Sequence, residues 1–174
     1  MRQAMKKWIE DLTVAIRREY NVTTPVDFDA LVKFLGGEIK NAGSGGDPEA
    51  AIIKTGENSF CIVIREDKPE NRKRFSKAHE LGHLFVHMGF QLDEDLWKSM
   101  PIGATYPRFG NSEEEREAHY FAAALLMPKN EFLSKCNEET NVAQECDLQA
   151  VAEYFEVSYD AALNRGKDLG VFSW

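Results

Sequence analysis

A single compact α+β domain is what this sequence predicts, on three observations. Stretches at roughly 3–20, 71–88 and 112–127 carry apolar residues at three- and four-residue spacing, the period of an amphipathic helix. Between the first two, Ala51 to Ile53 and Ser59 to Ile64 are short runs rich in β-branched residues, the mark of strands. At 174 residues and 43% hydrophobic, the chain can bury one proper core but not two large ones.

Met5, Trp8, Ile9, Leu12, Ile16 and Tyr20 give the first helix its apolar side, with charges between them, so it reads as a packing helix. A short helix follows over Asp27 to Leu35, with Pro25 ahead of it and Gly36-Gly37 closing it. "NAGSGGDPE", Asn41 to Glu49, offers only turn and breaker residues and reads as a loop. "KTGEN" separates the two strand runs, so they form a hairpin or adjacent strands.

Past the charged turn "REDKPENRKR", Phe75, Ala78, Leu81, Phe85 and Met88 share one side of a helix that Gly89 ends. Residues 90 to 111 contain Pro101, Gly103, Pro107 and Gly110, with one possible helical turn near Asp93 to Lys98. A connection of that length tends to be a lid or a binding loop. The next helix opens at Ser112, where "SEEE" supplies a capping box, and stops at Pro128. Leu148 to Gly166 reads as two short helices around "EVS", in helix-turn-helix outline.

The formal charge of -8 argues against a general binder of nucleic acid or anionic membrane, although Arg65 to Lys77 is locally basic. In the tail, Glu153, Glu156 and Asp160 leave little positive charge for phosphates, so direct DNA binding is not expected. Cys61, Cys136 and Cys146 form no CxxC and leave an odd thiol, so neither a disulfide framework nor a cysteine zinc site is indicated. A reducing, cytoplasmic setting fits. Glu10 and Asp11 interrupt any signal-peptide core, and no apolar run reaches membrane-spanning length.

"KAHELGHLFVH", Lys77 to His87, concentrates three of the four histidines beside a glutamate. On a helix, His79 and His83 are neighbours on one face and can hold one divalent ion. Glu80 projects to the side, where it can reach a water on the metal without being a ligand. His87 extends the same face, but it stands eight residues from His79, about 12 Å along a helix, so the three cannot share one ion.

A catalytic zinc needs a third protein ligand. No further histidine lies at short spacing, so the acidic start of the following helix, "SEEEREAHYFAAALLMP", is the best source. Glu117 is favoured because it lies one turn before the apolar Phe121. Glu113, Glu114 and Glu115 read as a solvated first turn that complements the helix dipole.

Together, "RFSKAHELGHLFVH" and "EREAHYFAAALLMP" resemble the ImmA/IrrE family of small zinc metallopeptidases, in which an HExxH helix precedes a helix close to E-A-N-x-F-A-x-x-L-L-M-P. The resemblance covers roughly residues 25 to 130. It implies one zinc ion held by His79, His83 and Glu117, with Glu80 as general base. It also implies a gluzincin-like, zincin-type minimal core: a small sheet, an HExxH active-site helix and a second ligand-bearing helix. The expected organisation is a peptidase domain over 1–130, N-terminal helices included, with a C-terminal helical appendage over 131–174 packed on it.

The implied substrate is a helix-turn-helix repressor of a mobile element or stress regulon. The alternative is a non-catalytic, zinc-stabilised anti-repressor or toxin-antitoxin component acting by protein contact. One departure is His119, where the family commonly has Asn; two residues on from Glu117 on a helix, it is expected to point elsewhere. Tyr106, His87, His119 and Tyr120 are the candidates for a transition-state stabiliser, none singled out by the sequence.

Overall fold

The computed structural model describes residues 1–43, 49–106 and 113–173. A small sheet lies against a layer of helices. Its strands are β1 (Glu38–Ala42), β2 (Ala50–Gly56) and β3 (Ser59–Arg65), in the order β1-β3-β2. β2 and β3 form the expected antiparallel hairpin, with Ile52 opposite Ile62 and a register shift between Lys54 and Gly56. β1 pairs parallel to β3, Glu38 opposite Cys61 through Ala42 opposite Arg65.

β1 was not legible in the sequence, where Asn41 and Ala42 read as the start of a loop. Its residues are half-buried or exposed, so it carries no apolar alternation, and it is defined by its ladder to β3. The middle of the expected loop, 44–48, lies outside the described residues, as does the expected cap at Ser112.

The helices preceding and covering the sheet are α1 (Gln3–Glu19), α2 (Phe28–Phe34), α3 (Glu70–Gly82), α4 (Glu94–Ser99) and α5 (Glu113–Leu126). α2 starts where Asp27 accepts from the Ala30 amide, and α4 where Asp93 accepts from the Leu96 amide, each side chain satisfying an orphan donor of the first turn. α3 is not the continuous helix to Met88 that the spacing predicts. At Gly82 it gives way to a π-helical turn, His83–His87, whose wider winding shows in the Met88 amide donating to the His83 carbonyl. Gly89, at φ +76°, ends the segment as expected.

The tail holds three helices, α6 (Lys129–Glu138), α7 (Leu148–Tyr154) and α8 (Tyr159–Asp168). α6 was not anticipated, because Pro128 read as a stop; it is also the first residue before a new helix, a position where proline is well suited. Phe132, Val151, Phe155 and Ala162 of the tail belong to the same buried cluster as Phe121 and Leu125 of α5.

Arg165 locks α8 onto α1 and α5. It is fully buried and donates from Nη1 and Nη2 to Glu10 Oε1 and Oε2 at 2.6 and 3.0 Å, and from Nε to the Met127 carbonyl at 3.0 Å. The Tyr120 hydroxyl donates to the same Glu10 Oε1 at 2.9 Å. Such a pair offsets its desolvation only through the hydrogen bonds it makes, here three from the guanidinium, two of them to the two Glu10 oxygens. Among the described residues, no helix is long and apolar enough to cross a membrane.

Candidate metal centre

α3 buries only its last turn. Its first residues are charged, whereas Ala78, His79, Glu80, Leu81 and Gly82 are buried beneath α5. The two helices come close at Gly82. A Cβ there would meet the Ala118 Cα at 3.0 Å and its carbonyl oxygen at 3.1 Å, so only glycine lets the backbones come this near. This contact sets which face of α5 looks onto the histidines.

Among the described residues, His79, His83 and Glu115 bring ligand atoms within 4.8 Å of one another. His79 Nε2 and His83 Nε2 are 3.0 Å apart. Glu115 Oε2 is 3.2 Å from His79 Nε2, and its Oε1 is 3.4 Å from His83 Nε2. Ligands bound tetrahedrally at 2.0–2.1 Å would stand about 3.3 Å from one another. Two imidazoles and a carboxylate at this spacing therefore fit one divalent ion, with a fourth position left over.

Glu117, which the sequence favoured as the third ligand, is not in this cluster. Its Oε2 lies 3.2 Å from His87 Nε2. The difference follows from helical phase. Ala118 sits on Gly82, and Glu115, three residues before it, shares its face. Glu117, one residue before Ala118, is turned about 100° away and meets the next turn of the histidine helix instead. Glu115 is accordingly not the solvated first-turn residue that the acidic run suggested; its side chain is only 13% exposed.

Glu80 is almost wholly buried, at 2% exposure, beside the two histidines. His87 stays outside the cluster, as its distance from His79 on the helix requires, but its Nδ1 lies 3.0 Å from His83 Nδ1. Burial pushes the His87 pKa down, and the hydrogen bond and charge of Glu117 oppose that shift. His119 does not point elsewhere. It lies one turn beyond Glu115, and its ring stands 4.7 Å from that of His79 and 5.5 Å from Phe75.

The long connection closes one side of the site. Among the described residues, its segment 103–105 pairs along the free edge of β2: the Lys54 amide donates to the Ala104 carbonyl at 3.0 Å, and the Gly103 amide to the Lys54 carbonyl at 2.8 Å. Lys54 also buries its ammonium under this segment, donating to the Trp97 and Met100 carbonyls at 2.6 and 2.8 Å. The pairing carries Tyr106 over the histidines, its ring stacked 4.4 Å from His83 and 5.2 Å from His87. Burial first, then a hydrogen bond to Glu114 and the nearby carboxylates, raise the Tyr106 pKa and keep its hydroxyl protonated. Tyr120, by contrast, belongs to the Arg165 network on the other side of α5.

A small sheet, an HExxH helix and a second helix that brings a carboxylate to its histidines define a zincin-like metallopeptidase core. Residues 37–167 match the IrrE N-terminal-like domain of the M78 peptidases, and the chain belongs to that family. It is also similar in fold to a solved Mycobacterium tuberculosis transcriptional regulator, with a TM-score of 0.54 at 16% identity over 95% of this chain. The chain spans about half of that protein, 47% of its length. No curated protein matches.

Proposed function

We propose that this chain is a zinc-dependent endopeptidase that cuts a regulatory protein in the cytoplasm, a helix-turn-helix repressor being the substrate its family resemblance implies. The observation that carries the reading is the spacing of three ligand atoms, 3.0 to 3.4 Å apart, with Glu80, the residue after His79, buried. His79, His83 and Glu115 would hold the ion; two nitrogens and a carboxylate with one open position are the donor set of catalytic zinc. A zinc ion held there supplies Lewis-acid activation of water and of the scissile carbonyl.

Glu80 then takes the proton of the attacking water and passes it to the leaving amine. Tyr106 and His119 flank the histidines on two sides and are the candidate donors to a developing oxyanion. Of the two, Tyr106 keeps its proton because its pKa is raised, and it would have to turn that proton from Glu114 to the oxyanion.

The test is incubation of the zinc-loaded protein with the repressor encoded beside it. Wild type is expected to cleave it, and Glu80→Gln to bind zinc equally while cleaving about 10²- to 10⁴-fold more slowly. Equal cleavage by the variant would rule Glu80 out as the base. A second reading, regulation by contact without cleavage, draws on the fold likeness to a protein titled a transcriptional regulator. It gains the ground if Glu80→Gln relieves repression fully while the repressor stays intact.

A further inference from the structure

Two side chains that the proposed chemistry leaves unused, His87 and Glu117, continue the histidine cluster in a line. His79 Nε2 faces His83 Nε2 at 3.0 Å, His83 Nδ1 faces His87 Nδ1 at 3.0 Å, and His87 Nε2 faces Glu117 Oε2 at 3.2 Å. Both His87 and Glu117 are largely shielded, at 7% and 13% side-chain exposure, so water competes weakly for these contacts. With Glu117 ionised and each ring carrying one proton, the contacts admit one assignment of protons.

A carboxylate only accepts, so His87 Nε2 must carry the proton that bonds Glu117. The neutral His87 ring then has a lone pair on Nδ1, which can only accept. His83 must therefore donate from Nδ1, and its own lone pair is left on Nε2, the atom that faces His79 and Glu115. In the opposite tautomer, His83 Nε2 would carry a proton and could not ligate a metal.

We propose that Glu117 is a positioning residue which, acting through His87, fixes the tautomer and ring orientation of His83 and so prepares Nε2 as a metal ligand. The inference rests on the reading of His79, His83 and Glu115 as the metal centre. It gives Glu117 a role through a relay rather than by direct ligation. Ligand histidines commonly donate their second nitrogen to a carboxylate or carbonyl, and losing such a partner typically costs 10- to 100-fold in metal affinity. Here a second imidazole is interposed. The π-helical turn over His83–His87 carries both rings, and Tyr106, stacked on both, limits their rotation.

The relay can be read without activity. Long-range ¹H–¹⁵N correlation spectra of the metal-free, ¹⁵N-labelled protein report which ring nitrogen of each histidine is protonated. Wild type is expected to show His87 protonated at Nε2 and His83 at Nδ1. Glu117→Ala is expected to turn both rings into tautomer mixtures and to weaken zinc binding, measured by competition with a fluorescent chelator, about 10- to 100-fold. Glu117→Gln, which keeps shape and one acceptor oxygen, is expected to fall between the two, showing that the loss is not one of folding.

A wild-type His87 protonated at Nδ1, or zinc affinity within about twofold of wild type in Glu117→Ala, would overturn the relay. Were wild type to bind no zinc while the expected tautomers were seen, the metal reading would fail and the proton assignment would stand.

Discussion

Gly82 of α3 touches Ala118 of α5 with no room for a side chain, and this one contact aligns the carboxylate of Glu115 with the imidazoles of His79 and His83. Gly82→Ala would place a methyl 3.0 Å from the Ala118 Cα, and backbone atoms cannot yield as a flexible side chain can. We predict a loss of stability of about 1–3 kcal/mol from the forced separation. A loss of zinc affinity should accompany it, since Glu115 would move away from the histidines. Thermal unfolding with and without zinc checks both, and a variant that matches wild type in both would show the contact to be slack.

Glu115 and Glu117 are two residues apart and should behave differently. Glu115→Ala removes a donor from the cluster itself, and its zinc affinity should fall by more than the roughly 100-fold limit expected for an outer partner such as Glu117. Chelator competition on both variants ranks them. The reverse ranking would return Glu117 to the place of third ligand.

The Arg165 network predicts a large effect far from the site. Glu10→Ala leaves the fully buried guanidinium without its two carboxylate contacts, and removing one partner of such a pair costs about 3–5 kcal/mol. Replacing both members, Glu10→Leu with Arg165→Met, should recover most of that loss. Urea unfolding of the single and double variants decides it, and a double variant as unstable as the single would refute the pairing argument.

The three thiols should differ in reactivity. Burial pushes the Cys136 thiol up to about 12, with Cys146 adding to the shift, and burial together with Glu38 raises Cys61. A raised thiol pKa keeps the unreactive protonated form at pH 8, and the thiolate fraction grows only as pH climbs towards the shifted value. Iodoacetamide at pH 8 should therefore modify Cys146, which is partly exposed, well before the two buried cysteines. Mass spectrometry of the labelled peptides counts the adducts; early labelling of Cys61 or Cys136 would contradict the burial argument.

Much of the molecule could be read from the chain alone where the signal is local. The hairpin of β2 and β3 followed from β-branched runs, α1 and α5 from their apolar spacing, and Gly89 from its place at the end of an apolar period. Elements whose signal is not local were lost. β1 has no buried alternation and owes its existence to a ladder with residues twenty-odd positions on, while α6 hid behind a proline that begins a helix as readily as it ends one. His119 was misplaced because its direction was judged from Glu117, when the residue that faces the histidines is Glu115.

The sequence by itself determined that His79, Glu80 and His83 stand together. HExxH at helical spacing puts His79 and His83 on one face with Glu80 to the side, because a helix fixes neighbours four residues apart whatever surrounds it. Tertiary structure alone decided which acidic residue lies against the two histidines. Glu113, Glu114, Glu115 and Glu117 are all carboxylates at the start of one helix, and the one feature within that helix that separates them, the place of Glu117 one turn before Phe121, points to a residue outside the cluster. The choice is made by the rotation of α5 about its axis, and that rotation is set by where Ala118 meets Gly82 on a helix more than thirty residues earlier in the chain.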